Sequence, residues 1–208
     1  VSGVTVSDAG IVTGNTYDKY GSRNPLVRRL MEGFQGALEE LLDLALPASL
    51  LDVGCGEGIL VQRLAQRLGP TRRVVGADLE EHSIQAGWSQ NRAPNLSYRV
   101  MAGEGLPFAD GEFDMVSAIE VLEHVPAPER TLVEMTRCAQ HHLLVSVPRE
   151  PLWRALNMAR GAYWSQLGNT PGHLNHWSGR SFRRLLAGHG EVMETRSPFP
   201  WTMALVRL

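Results

Sequence analysis

The stretch "LLDVGCGEG" (residues 50–58) decides how this chain is read. An apolar run ends in a loop where Gly54, Gly56 and Gly58 alternate with other residues, and an amphipathic segment follows at once. Glycine tolerates positive φ and lacks a Cβ, so such a loop lets a ligand lie against the main chain. A tight strand-to-helix turn without a ligand needs fewer glycines. In open parallel sheets, ligands bind beyond the carboxyl ends of strands, which is where this loop falls if Ser49–Val53 is a strand. Dinucleotide sites read G-x-G-x-x-G, with the pyrophosphate at a helix N-terminus. Here the spacing is G-x-G-x-G and Glu57 intervenes. A carboxylate repels a diphosphate but suits an ammonium or sulfonium, so the loop favours a cationic nucleoside.

Outward from the loop, short apolar runs recur at residues 49–53, 73–77, 96–101, 113–119 and 142–147. Helical patterns at 59–68, 82–91 and 128–138 separate them, which predicts βαβ units and a parallel sheet covered on both faces. Before the sheet, Leu26, Leu30, Phe34, Leu38, Leu41 and Leu42 recur at helical spacing over residues 25–46, between Pro25 and Pro47. Residues 1–16 read as a loose arm. After the fifth strand, residues 151–168 and 178–188 read as helices, and 191–196 and 202–208 as strands across a Ser-Pro-Phe-Pro turn.

The chain has 208 residues, 43% hydrophobic and 20% charged, which predicts one domain, 1–208, with a sizeable core. The arm and first helix take residues 1–46, and an acceptor-side helical insert takes 148–180. A net charge of −2 offers no field for nucleic acid. Two cysteines, Cys55 and Cys138, make no disulfide framework and suggest a reducing, cytoplasmic setting. No leader-like segment opens the sequence, and no apolar run is long enough to span a bilayer.

The loop resembles motif I of the class I S-adenosylmethionine-dependent methyltransferases. The resemblance continues through "VVGADLEEHSIQAG", "GEGLPFADGEFDMVSAIEVLEHV" and "HLLVSVPRE", in the family's order over roughly residues 50–150. It implies a Rossmann-like α/β fold: a mostly parallel seven-stranded sheet, an antiparallel C-terminal strand, and helices on both faces. It also implies S-adenosyl-L-methionine as cofactor. On that resemblance Asp52, Gly54, Cys55, Gly56 and Gly58 surround the methionine portion. Asp78 receives the ribose hydroxyls, consistent with an acceptor-only carboxylate; a helix N-cap is the alternative. Leu79 covers the adenine. Many relatives place an Asp where this chain has Ala102, so Glu104 or backbone near Gly103 and Gly105 takes that contact. Glu120 joins the cofactor set; Tyr17, with Tyr20, is a candidate to touch the cofactor or the acceptor, since an aromatic face near a sulfonium is favourable, and surface aromatics on the arm are the alternative.

Methyl transfer to a hydroxyl needs positioning and a base. In "AIEVLEHV", Glu120, Glu123 and His124 fall within five residues, and a helix starting near Glu120 would put them on one side. Three readings are open. Glu123 and His124 orient the loop; His124, with Glu123, acts as general base; or Glu120, Glu123 and His124 bind a divalent metal such as Mg. The segment resembles ubiquinone-pathway O-methyltransferases and small-RNA 2′-O-methyltransferases. In the latter two Glu and a His bind a divalent ion with a later His. Here "GNTPGHLNHWSGRSF" supplies His173, preferred over His176. RNA is disfavoured by the charge balance.

Residues 148–178 combine Trp153, Tyr163 and Trp164 with Arg149, Arg154 and Arg160. A core stripe is the plain explanation. The position beside the active-site mouth instead suggests a lid or interfacial helix over an apolar acceptor. The expected activity is O-methylation of a small or lipid-like hydroxylated acceptor, with peripheral contact at an inner membrane surface. The alternative is metal-free N- or C-methylation of a natural-product or sugar intermediate. The acceptor's identity and the oligomeric state are not legible in the sequence.

Overall fold

The structure is a computed structural model that describes residues 23–79, 82–101 and 105–208, together with Thr5–Val6 and Val12–Thr13. The latter form two short antiparallel strands, β1 (Thr5–Val6) and β2 (Val12–Thr13), where the sequence suggested only a loose arm. Helix α1 (Pro25–Ala45) starts at Asn24, whose side chain accepts the Leu26 N–H at 2.9 Å, with Pro25 in the first turn. It ends because Leu46, ahead of Pro47, turns left-handed at φ 42°.

The sheet elements follow in order: β3 (Ser49–Val53), α2 (Ile59–Leu68), β4 (Arg73–Leu79), α3 (His82–Gln90), β5 (Leu96–Met101) and β6 (Phe113–Ile119). Then come α4 (Pro128–Cys138), β7 (Ala139–Pro148), α5 (Leu152–Ala159), a 3₁₀ turn at Trp164–Gln166, α6 (Gly179–Leu186), β8 (Glu191–Arg196) and β9 (Trp201–Arg207). Seven strands lie in the order β5-β4-β3-β6-β7-β9-β8. All run parallel except β9, which is antiparallel to both neighbours. The strand order reverses beside β3, so the crevice at its carboxyl end is the natural ligand position.

Side chains alternate across the sheet to feed two cores. Leu50, Val74, Met115, Leu144 and Leu205 pack with Phe34, Leu38, Leu41 and Leu42 of α1. Leu51, Val75, Val116, Leu143 and Val206 pack with Leu132 and Met135 of α4 and Phe182 and Leu186 of α6. Two strands outrun their apolar signal. Asp78 and Leu79 stay paired with Val100 and Met101, and Ala139 pairs with Phe113.

The expected helix over 151–168 is broken. α5 stops at Ala159, and Gly161 and Tyr163 adopt φ 78° and 57°. The chain folds back on the helix: buried Asn157 donates to Gly168 O (2.8 Å) and Thr170 Oγ1 (3.0 Å), and Trp153 Nε1 donates to Thr170 Oγ1 (2.9 Å). A Cβ at Gly168 would collide with the Arg154 carbonyl, so glycine is required there. The insert is therefore stitched through buried polar groups.

One of the buried carboxylates lies on a central strand. Asp52 of β3 is 3% exposed and accepts from Ser117 Oγ of β6 at 2.6 Å. Burial pushes its pKa from 3.8 up to about 7, with the neighbouring Asp78 charge adding to the rise against the Ser117 hydrogen bond. A carboxyl with a raised folded-state pKa binds its proton more tightly in the folded chain. Its stabilisation is complete below pH 3.8 and is lost as pH rises toward about 7. Asp52→Asn, which can still accept from Ser117, should therefore gain stability over the parent as pH rises across that window. The gap should reach a few kcal/mol, since each tenfold difference in proton affinity between the folded and unfolded chain is worth about 1.4 kcal/mol. Thermal melts at stepped pH check this; a constant difference between the two proteins would show that the Asp52 carboxyl titrates alike in both states.

Candidate active site

The glycine loop leaves β3 with its backbone tied to the next strand: Gly54 and Cys55 N–H both donate to Ala77 O, at 2.8 and 3.1 Å. Gly54, Gly56 and Gly58 all have positive φ, 73°, 54° and 89°. Their reasons differ, which the spacing alone did not reveal. A Cβ at Gly54 would lie 2.5 Å from Val121 Cγ2, and one at Gly58 would strike the Tyr98 hydroxyl, so the chain itself fills both places. At Gly56 a Cβ would meet nothing within 4 Å. Of the three, that position is the one where a side chain would find open space. The Cys55 side chain is buried and packs toward Gly76, so this residue offers a ligand its main chain alone.

Asp78, at the end of β4, holds the loop. Its Oδ2 accepts the Gly56 N–H at 2.6 Å and its Oδ1 accepts the Leu79 N–H at 2.7 Å. A carboxylate accepts up to about four hydrogen bonds, so these donors are compatible with two ribose hydroxyls. Trp88 Nε1 of α3 donates to Gly56 O (2.8 Å), and Asn91 Nδ2, just past the end of that helix, donates to Glu57 O (2.9 Å). Gly87 lets this helix close on Glu57, since a Cβ there would lie 2.6 Å from the Glu57 Cβ. Sequence reasoning found the loop but not Trp88, Asn91 or Tyr98, whose roles depend on how α3 and β5 fold back.

Beyond β5, Gly105 is exposed, and the loop after it is gripped from α4. Arg137 donates to Phe108 O (2.8 Å), Leu106 O (3.0 Å) and Asp110 Oδ1 (2.8 Å), while Glu134 Oε2 accepts the Leu106 N–H at 3.1 Å. Glu104 and Tyr17, expected at the cofactor, and Tyr20 with them, lie outside the described residues.

At the carboxyl end of β6, Glu123, His124 and His173 come together, their candidate ligand atoms all within 4.8 Å of one another. Glu123 is 1% exposed and His173 8%. His124 Nδ1 meets the Gly172 carbonyl at 3.0 Å. A carbonyl only accepts, so Nδ1 carries a hydrogen, and in the neutral imidazole Nε2 then holds the lone pair. His124 Nε2 lies 3.9 Å from Glu123 Oε1. The rings of His124 and His173 meet edge-to-face at 4.9 Å, and Trp153 stacks beside His173 at 6.0 Å. His176 stands apart, its Nε2 on Asn169 Oδ1 at 2.7 Å.

Glu120 does not join this group, against the expectation of a shared helical face. It sits at φ 61°, and its carboxylate accepts from Ser146 Oγ (3.0 Å) and Trp201 Nε1 (2.6 Å). The left-handed turn sends residues 121–125 elsewhere and leaves Glu120 against β7 and β9. Among the described residues, the donor set without it is one carboxylate and two imidazoles. That suits borderline ions such as Mn²⁺ or Zn²⁺ better than the oxygen-seeking Mg²⁺ first expected.

The profile of a methyltransferase domain matches residues 26–194. The ubiquinone biosynthesis O-methyltransferase of Rhizobium johnstonii is 36% identical over 121 residues, covering 57% of this chain and 41% of that protein. The norajmaline N-methyltransferase of Rauvolfia serpentina is 30% identical over 133 residues, covering 57% of this chain and 46% of that one. The chain thus spans less than half the length of these relatives. Among solved structures, magnesium protoporphyrin IX methyltransferase from Synechocystis, with bound SAH, superposes at a TM-score of 0.63 with 20% identity, over 90% of this chain and 89% of that one. With the crevice at the β3 end, the open face at Gly56 and the Asp78 clamp, these matches place the chain in the methyltransferase-domain family, on the class I S-adenosylmethionine-dependent fold.

Proposed function

We propose that this protein transfers a methyl group from S-adenosylmethionine to a hydroxyl on a small or lipid-like acceptor. The observation that carries the reading is the gathering of Glu123, His124 and His173 beyond β6, with His124 Nδ1 turned to the Gly172 carbonyl. Gly56 and its loop would receive the methionine portion and Asp78 the ribose. Bound there, the cofactor supplies a methyl already activated on a sulfonium. The acceptor oxygen attacks in line, the carbon–sulfur bond breaks toward a neutral thioether, and the hydroxyl proton passes to His124 Nε2. Buried Glu123 lies close enough to favour the imidazolium that forms.

The same atoms could hold a divalent ion, which would supply positive charge that favours an ionised hydroxyl. Nε2 serves one role at a time, as base or as ligand. A second reading draws on the N-methyltransferase relative: an amine acceptor, already nucleophilic when neutral, would need neither the base nor the ion. Exposed Trp164 and Leu167 support contact of this face with a membrane surface that delivers an apolar acceptor. Among the described residues no helix is long and apolar enough to cross a membrane.

Three outcomes are expected. Asp78→Ala should weaken cofactor binding in calorimetry by about 2–3 kcal/mol, the worth of a charge-assisted contact pair; unchanged affinity would remove the ribose assignment. His124→Ala should lose turnover on phenolic and aliphatic hydroxyl acceptors while keeping cofactor affinity. Activity that survives EDTA removes the ion, and survival of His124→Ala on amine acceptors alone favours the second reading. Replacing Trp164 and Leu167 with Ser should reduce co-sedimentation with anionic liposomes; equal sedimentation removes the membrane contact.

A further inference from the structure

The reactive cluster is assembled from two segments far apart in the chain, since His124 meets a carbonyl 48 residues away. Something must hold them in register to a fraction of an ångström. Leu174 and Asn175 N–H both donate to Glu123 O, at 2.7 and 3.1 Å. The Asn175 side chain then reaches past them. Its Nδ2 donates to Leu122 O at 3.1 Å and to Val125 O at 2.7 Å. These carbonyls bracket Glu123 and His124, so one amide nitrogen staples both ends of the turn that carries them. Both partners are carbonyls, which only accept, and this fixes the amide orientation as nitrogen-inward. With the staple in place, Gly172 O falls 3.0 Å from His124 Nδ1, and the His173 ring meets the His124 ring.

We propose that Asn175 is the positioning residue of the site: it registers the Gly172–Asn175 segment on the Glu123–His124 turn and thereby sets the His124 tautomer. Its effect on turnover rests on the role given to His124 above; its effect on the tautomer does not. Asn175 acts only through the groups it holds. The amide chemistry is specific. Aspartate has the same shape but is acceptor-only, so it would set a carboxylate against two carbonyl oxygens.

The test is nitrogen-15 NMR of the histidine rings in the parent chain and in Asn175→Asp, with calorimetric cofactor affinity and methyl-transfer rates on the same samples. The parent should show His124 as a single Nδ1–H tautomer with ring-to-ring contacts to His173. The variant should show averaged tautomers and lose those contacts, with cofactor affinity within about twofold and kcat down about 10- to 100-fold, the usual cost of losing a group that orients a reactive histidine. A variant that keeps the parent tautomer overturns the proposal. So does one whose cofactor affinity falls along with the tautomer, because that marks general damage. Averaged tautomers with unchanged kcat uphold the proposal and instead remove His124 from the chemistry. If Asn175→Asp does not fold, Asn175→Ala removes the donors without adding charge, and the same signals decide.

Discussion

The hydrogen bond from the Gly56 amide to the Asp78 carboxylate is the contact on which the site depends. It joins the ends of two adjacent parallel strands, β3 and β4, in register from Ser49↔Arg73 to Val53↔Ala77. A main chain that must turn its N–H back toward β4 needs the left-handed conformation found at Gly56, φ 54°. Once it has turned, Trp88 of α3 and Asn91 just beyond that helix take the carbonyls of Gly56 and Glu57, and Gly87 gives the helix room to approach. Loop, strand end and helix are tied together by these hydrogen bonds.

Much of this was legible because it is local. Apolar runs separated by helical periods announced the parallel sheet, and glycines at alternate positions announced the loop. What the sequence could not carry was the identity of the atoms on the far side of each glycine. Gly54 and Gly58 are glycine because Val121 and Tyr98 occupy the space a Cβ would need, and those residues arrive from the β6 and β5 sides of the sheet. The same limit explains Glu120. Spacings of three and four put it beside Glu123 and His124 only if a helix begins there. The chain instead turns left-handed, and the indole of Trp201, on β9, claims its carboxylate. The helix expected over 151–168 failed for a related reason. Its apolar period continues, yet Asn157 and Thr170 reward a reversal that no window of the sequence displays.

His173 illustrates the opposite case. Nothing in its local sequence distinguishes it from His176, and only a resemblance preferred it. The structure separates the two by their company: His173 is buried between Trp153 and His124, whereas His176 is bonded to Asn169. Burial and the nearby Arg154 charge also push the His176 imidazole below its usual pKa.

The two halves of the site are built by different means, and the difference has a physical cause. The half formed by β3, its loop, β4 and α3 presents backbone groups and one carboxylate from a continuous stretch of chain. Main-chain groups stay in place as long as the glycines that seat them are kept, so such a surface suits a ligand that stays constant. The other half presents side chains gathered from β6, the insert and β9: Glu123, His124, His173, Trp153 and Trp201. Glu123, His124 and His173 lie outside the strands, so the ladder's own pairing does not fix what they are. A scaffold divided in this way keeps one donor and permits many acceptors. It is consistent that this chain matches relatives named for transfer to oxygen and for transfer to nitrogen alike. What the acceptor is must therefore be written in the side chains beyond β6 and β7, not in the loop that identifies the fold.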